Sequence, residues 1–250
     1  HHKRTHTLKN MRFVVAGKLT GRKSAIKEHL EGWQLETGER FAIPHDEPRR
    51  ANPVLIRRKE ATNLTFGWSM VVPRELTDEE ADAMSALNHI LTGTMSSRIF
   101  GSARKKGLAY SIFSDTSVGF YDSAWDFGGQ VNIDAAEKLF DIIVRELKRV
   151  LSGSISAEDL ESVKSYSLGR YQMGAQTVGQ ISNFYVGRYF ADDFVRDYDG
   201  VPASILAVTS EQMIETARQF FVADAWTLAA VSSDDKILLL KLFDKLSKLF

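Results

Sequence analysis

The chain has no cysteine in 250 residues, so a disulfide framework, a thiol nucleophile and a cysteine-ligated zinc are all excluded. Net charge is also missing: 32 Lys and Arg balance 32 Asp and Glu, which removes the bulk electrostatic attraction that nucleic-acid binding uses. No apolar run approaches the length needed to cross a bilayer, and the N-terminus carries no apolar signal region. The G-x-S-x-G nucleophile elbow, the G-x-x-x-x-G-K-[ST] phosphate loop and the dinucleotide G-x-G-x-x-G are all missing. What is present is an ordinary globular composition, 44% hydrophobic and 26% charged, enough to build a sizeable core. A soluble protein is expected, with the cytoplasm as its compartment and neither nucleic acid nor membrane as partner.

Charge is unevenly spread. Residues 1–60 hold 14 Lys and Arg against 7 Asp and Glu, leaving the remainder equally acidic. A solvated surface and linker account for this as well as a docking arm does.

Hydrophobic periodicity organises the rest. Residues 1–10 show no helix entry signal, and Met11–Ala16 reads as a short strand ending at Gly17. Ile26, Leu30 and Trp33 recur at near-helical spacing, and Ile43–Pro53 is a proline-punctuated linker. Leu64, Phe66, Trp68, Met70 and Val72 alternate as in a half-buried strand. Thr77-x-x-Glu80 is a capping box opening a helix with Ala81, Met84, Leu87 and Leu91 on one stripe. A helix or turn covers Ser96–Lys106, and Leu108–Ser114 and Phe120–Val131 form a hairpin around Asp115–Gly119. Asp134-x-x-Glu137 and Ser156-x-x-Asp159 open two further helical stretches, the second interrupted by Gly169, Gly174 and Gly179. Thr209-x-x-Gln212 caps another helix, Ala225–Val231 is a last strand, and the amphipathic tail from Ile237 to Phe250 caps the sheet. This order predicts an α+β fold with a mostly antiparallel sheet and helices packed on one face. The strand-then-helix pattern of Met11–Trp33 returns in Trp226–Phe250, a weak internal echo.

Candidate metal ligands are sparse. His2 and His6 are four apart, but Lys3 and Arg4 lie between them and no carboxylate accompanies them; Glu79 or Glu80 downstream would be a forced third ligand. Glu28-His29 would end an inverted zincin motif only if Ala25 were His. His89 reads as plain surface. Tyr185, Arg188 and Tyr189 share a helical turn and, with Phe184 and Phe190 alongside, read as helix packing.

Residues 93–110 carry the specific information. Ser96-Ser97-Arg98-Ile99-Phe100, then Arg104, then Gly107-Leu108-Ala109-Tyr110 resemble the non-zinc half of pitrilysin, insulinase and mitochondrial processing peptidase-type metallopeptidases. Residues 10–17 resemble the strand closing the zinc-bearing domain of that family, and Ile155–Leu160 resembles a helix start after its long helix. The resemblance implies a LuxS/processing-peptidase-like fold, with residues 1–50 as the end of a preceding zinc-type domain plus linker. Residues 51–233 would then be an inactive substrate-binding domain, and 234–250 a terminal helix. It further implies that Arg104 and Tyr110 hold a peptide substrate while zinc resides in another domain or a partner subunit. No catalytic residue and no metal ligand is expected in this chain, which lacks H-x-x-E-H and should be inactive alone. An inactive scaffold subunit and a stand-alone peptide-binding module are the alternatives. For the pair itself two readings stay open, because Tyr110 shares a strand face with Leu108 and Ile112 and Arg104 adjoins Lys105 and Lys106.

Self-association is a further option, since a Met11–Ala16 strand without its own sheet would seek a neighbour. It is expected to pair with a second copy or to fold onto the main domain. Light scattering showing a strict monomer with residues 1–45 disordered would contradict this.

Overall fold

The computed structural model describes the chain except residues 41–44, 46, 48, 50, 193, 234 and 235, and the side chains of residues 188, 191 and 192. In chain order the elements are α1 (His2–Thr5), α2 (Lys23–Glu31), β1 (Val54–Arg57), β2 (Asn63–Val72), α3 (Asp78–Asn88), α4 (Phe100–Lys105), β3 (Ala109–Val118) and β4 (Ser123–Asn132). There follow α5 (Ala136–Leu151), α6 (Ala157–Met173), α7 (Val178–Asp192), α8 (Val201–Ala207), α9 (Ser210–Gln219), β5 (Trp226–Ser232) and α10 (Lys236–Ser247). The described chain divides into two compact units. The larger contains residues 45–166 and 204–250, and the smaller residues 1–44 and 167–203.

The larger unit is built on a five-stranded sheet of order β1-β5-β2-β4-β3. Its neighbours are antiparallel except β1 and β5, which run parallel. The expected α+β class and its mostly antiparallel sheet are therefore present. Alternation is strict in β2, where Leu64, Phe66, Trp68, Met70 and Val72 are buried, and in β5, where Trp226, Leu228 and Ala230 are. These side chains form one face, covered by α3, α4, α5, α9 and α10. Trp68 stacks on Phe127 with ring centroids 5.1 Å apart, and Phe66 meets Phe140 edge-on at 5.0 Å. α10 packs against α5 through Leu239, Leu242 and Leu246, and Phe243 and Phe250 stack on Trp226 of β5.

Helix entry follows reciprocal capping chemistry at Thr77 and Thr209, and also at Ser156 with Asp159 and at Thr177 with Gln180. Thr77 accepts from the Glu80 amide while Glu80 accepts from the Thr77 amide, and Thr209 and Gln212 repeat the reciprocal pair. At Asp134 the reading differs: residues 133–135 form a 3₁₀ turn, and α5 starts after Ala135 with no side-chain cap. The hairpin also differs. β3 extends through the polar run Ser114–Ser117 and turns at Gly119–Asp122, where the Gly119 amide donates to the Asp122 carbonyl at 2.8 Å. The run stays a strand because the helix above supplies partners. The Ser114 amide donates to Thr92 Oγ1 at 2.9 Å, and Asn88 donates to Thr116 at 3.0 Å. Asn88 also accepts from the buried Trp125 indole at 2.8 Å. Among the described residues Trp68 Nε1 is a buried donor with no hydrogen-bond partner.

In the smaller unit residues 11–16 pair with no strand among the described residues, contrary to the sequence reading. A strand exists only where a neighbour takes its backbone groups, and here the backbone bonds nearby are those of Leu8 and Lys9 to the carbonyls of Glu36 and Thr37. Residues 2–5 instead form the short α1. Gly169 does not interrupt α6, which ends at Met173, where the Tyr198 hydroxyl donates to the Tyr171 carbonyl at 2.6 Å. Tyr171, Phe184 and Tyr198 form an aromatic cluster, and the Arg12 guanidinium lies over the Tyr189 ring, so these rings are packing elements as read. The Arg188 side chain lies outside the described residues, as does much of the proline-punctuated linker, residues 43, 44, 46, 48 and 50.

Two measurements test the packing. Asn88→Ala leaves the Trp125 indole buried without an acceptor, which should cost about 1–3 kcal/mol in urea denaturation. Glu80 hydrogen-bonds Arg74, which holds its carboxyl down at about 2 from an ordinary 4.5, despite the opposing effect of burial. A depressed carboxyl contributes stability that is complete above its unfolded value and lost as pH falls through its folded value. Urea midpoints should therefore fall between about pH 4.5 and about pH 2, and Glu80→Gln should flatten that part of the slope.

Candidate functional site

The segment that joins α3 to β3 builds the site. After α3 the helix widens into a π-helical turn, His89–Gly93, and the chain folds back over residues 94–99. The amides of Arg98 and Ile99 donate to the carbonyls of Ile90 and Leu91 at 2.9 and 2.8 Å. Gly101 is obligatory here, because a Cβ would lie 2.6 Å from the Met95 carbonyl. Buried Ile99 and Ala103 then anchor α4, and Arg104 faces outward.

α4 ends in a glycine-terminated cap. Gly107 has φ +65°, its amide donates to the Arg104 carbonyl, and the Leu108 amide reaches the Ala103 carbonyl, both at 3.0 Å. β3 begins two residues later with a bulge. Ala109 pairs with Val131 and Ser111 with Gln130, so Tyr110 is an extra residue with no partner in β4. Without the bulge Tyr110 would alternate with a buried neighbour; with it, Tyr110 and Ser111 both turn outward while Ala109 and Ile112 stay in. Tyr110 is consequently 75% exposed, which settles against the half-buried alternative.

Arg104 and Tyr110 come together. The guanidinium carbon lies 5.6 Å from the centre of the Tyr110 ring, and Nη1 donates weakly to the Tyr110 carbonyl at 3.4 Å. Arg104 is therefore held over a ring and a bulge carbonyl, not merely solvated beside Lys105 and Lys106. Both side chains are exposed, and a guanidinium has five donors of which the Tyr110 carbonyl takes one. Phe113, on the same outward face, lies across Gly128, where a Cβ would meet its ring at 2.4 Å.

Two residues acquire places that the sequence reading did not give them. His89 is stacked on Tyr166 with ring centroids 3.7 Å apart and lies against Gly93, so it is half-buried and not plain surface. Arg98 donates to the Ser154 carbonyl at 2.8 Å and to Asp159 at 2.5 Å. Burial alone would raise the Asp159 carboxyl, but hydrogen bonds from Arg98 and Ser156 outweigh it and hold the group below its ordinary range. The Ser-Ser-Arg triplet and the Ser156-x-x-Asp159 cap were both visible in the sequence, yet nothing local connects them.

Comparison with known proteins gives this geometry its context. The family model described as the peptidase M16 inactive domain matches residues 1–166. The chain belongs to that family. It is 26% identical over 231 residues to an uncharacterized zinc protease of Bacillus subtilis, YmxG, covering 87% of this chain and 53% of the relative. An M16 inactive domain from Pseudomonas fluorescens has the same fold, with TM-score 0.72 at 16% identity over 86% of this chain and 52% of that one. A protease from Helicobacter pylori matches with TM-score 0.69 at 16% identity, covering 86% and 53%. The chain thus spans about half the length of these M16 relatives.

The zinc protease names raise the question of whether these residues fit zinc. They do not. Among the described residues no group of three or more His, Asp or Glu is placed to hold a metal. His2 and His6 stack on each other, centroids 4.0 Å apart, beside Lys3 and Arg4. Glu80 is committed to Arg74 and the Thr77 amide, and His29 is set edge-on to Trp33. No described helix is long and apolar enough to cross a membrane. Dialysis of the purified chain against zinc, followed by elemental analysis, should leave it with substoichiometric metal; one tightly held zinc per chain would overturn this assignment.

Proposed function

We propose that this M16 inactive domain is the C-terminal half of a zinc-dependent peptidase, and that it holds unfolded peptide substrate for a zinc site carried by a preceding domain or a partner subunit. The observation that carries the reading is the outward pairing of Arg104 and Tyr110 on the β3 bulge. A guanidinium offers a planar fork of donors to a peptide carbonyl, and a phenol offers one more. Both are hydrogen-bond donors without a competing acidic partner of their own among the described residues. Aimed at the scissile carbonyl, such donors orient the peptide and stabilise the oxyanion that develops as a nucleophile attacks. Extended peptide suits them better than folded protein, because only an unfolded segment presents its backbone carbonyls freely.

On this reading residues 1–50 close the preceding domain. Leu8, Phe13, Val15, Ile26, Leu30 and Trp33 line an open apolar groove of about 710 Å³ on α2. An exposed apolar lining of this kind suits cover by the remainder of such a domain.

The test is made in the complete parent enzyme. Arg104→Ala and Tyr110→Phe should each lower kcat/KM for an unfolded peptide by about 2–4 kcal/mol in transition-state binding while zinc content stays constant. An unchanged kcat/KM removes both residues from the site. No activity at all in the parent, together with no peptide binding, would make the chain a scaffold.

A further inference from the structure

The segment bearing Arg104 has one polar tether to the body of the larger unit that no local interaction supplies. Arg98 sits between the π-helical turn and α4, six residues before Arg104, and its side chain is only 13% exposed. Its two terminal nitrogens bind two different acceptors far along the chain, the Ser154 carbonyl at 2.8 Å and Asp159 Oδ2 at 2.5 Å. Asp159 is itself fixed at the start of α6, accepting from the Ser156 amide at 3.0 Å and the Ser156 hydroxyl at 2.5 Å. The Asp159 amide returns a bond to Ser156 Oγ at 3.1 Å. The opposite side of the same turn is closed by Ser97 Oγ donating to the Thr94 carbonyl at 2.7 Å.

We infer that Arg98 is a positioning residue. Its fork ties the 94–99 turn to the capped start of α6 and thereby sets where α4 presents Arg104 to Tyr110. This rests on the peptide-holding role proposed for that pair, to which Arg98 adds no donor of its own. The chemistry selects arginine. A planar guanidinium spans two acceptors in fixed directions and forms charge-assisted bonds, whereas a lysine ammonium is a point charge on a flexible stem. Elsewhere the segment is held by burial of Ile99 and Ala103 and by the backbone bonds of Arg98 and Ile99 to Ile90 and Leu91, so among the described residues Arg98 supplies its side-chain tie to the start of α6. Loss of that tie loosens the turn that leads into α4, and with it the placement of Arg104 against Tyr110.

Hydrogen exchange on the 250-residue chain tests the tether without reference to any ligand. Arg98→Ala should speed exchange of the amides in residues 100–110 by roughly tenfold or more while amides of β2, β5 and α5 keep their protection. Arg98→Lys should give an intermediate gain. In parallel, fluorescence anisotropy with fluorescein-labelled β-casein, an unfolded protein, should show binding weakened in Arg98→Ala and partly restored in Arg98→Lys. Unchanged exchange at 100–110, or exchange raised equally throughout the unit, overturns the positioning role. Local loosening with no casein binding even by the unsubstituted chain leaves the tether standing and removes the peptide-holding reading. Local loosening with casein bound equally well by all three proteins shows that the tether does not serve the site, and also overturns the inference.

Discussion

Every second residue of β2 and β5, up to the polar Ser232 that ends β5, is an apolar side chain that must leave water, and that obligation organises the larger unit. The face they form is wide enough to need five helices over it, and α3, α4, α5, α9 and α10 sit where they do to cover it. Edge strand β3 buries fewer of its side chains than β4 beside it, and it is held by a mixture of burial and hydrogen bonds. Ile112 is buried, while Ser114 and Thr116 engage Thr92 and Asn88. The Thr92 contact also occupies a backbone group of this edge strand, the Ser114 amide, where an unprotected strand would invite another chain. The site grows from this edge: one extra residue in β3 breaks the two-residue period and places a tyrosine outward beside an arginine from the preceding helix.

Arg104 and Tyr110 provide cationic and phenolic donors, with Ser111 turned outward beside them and Lys105 and Lys106 adjoining in sequence. A family in which relatives are called zinc proteases, and in which this part is called the inactive domain, fits a division of labour between halves. The proposed peptide-holding role calls for stiff donors, and stiffness in this segment comes from ordinary devices. A left-handed glycine ends α4, a glycine lets the turn approach α4 closely, and an arginine ties the turn to a helix cap.

Those devices also explain what could and could not be read from the amino-acid order. The alternation in β2 and the capping boxes at Thr77 and Thr209 are local, and they fold as written. The polar run Asp115–Ser117 looks like part of a turn because the partner of Thr116, Asn88, lies on another element. Met11–Ala16 looks like a strand because it is a short, mostly apolar run ending at Gly17, but a strand needs a neighbour. The segment resemblance found Arg104 and Tyr110, yet only the register shows that a bulge turns Tyr110 out. Arg98 stands in plain view within the same segment, and its acceptor Asp159 lies 61 residues away, beyond the reach of spacing rules.

Whether an unfolded chain comes to rest on the β3 bulge can be asked directly. A photoactivatable benzoylphenylalanine in place of Tyr110, irradiated with unfolded β-casein in the complete parent enzyme, should yield a covalent casein adduct. The same probe in place of Leu240, exposed on α10, should not. Equal labelling at both positions, or none at Tyr110, would contradict a peptide-holding role for this surface.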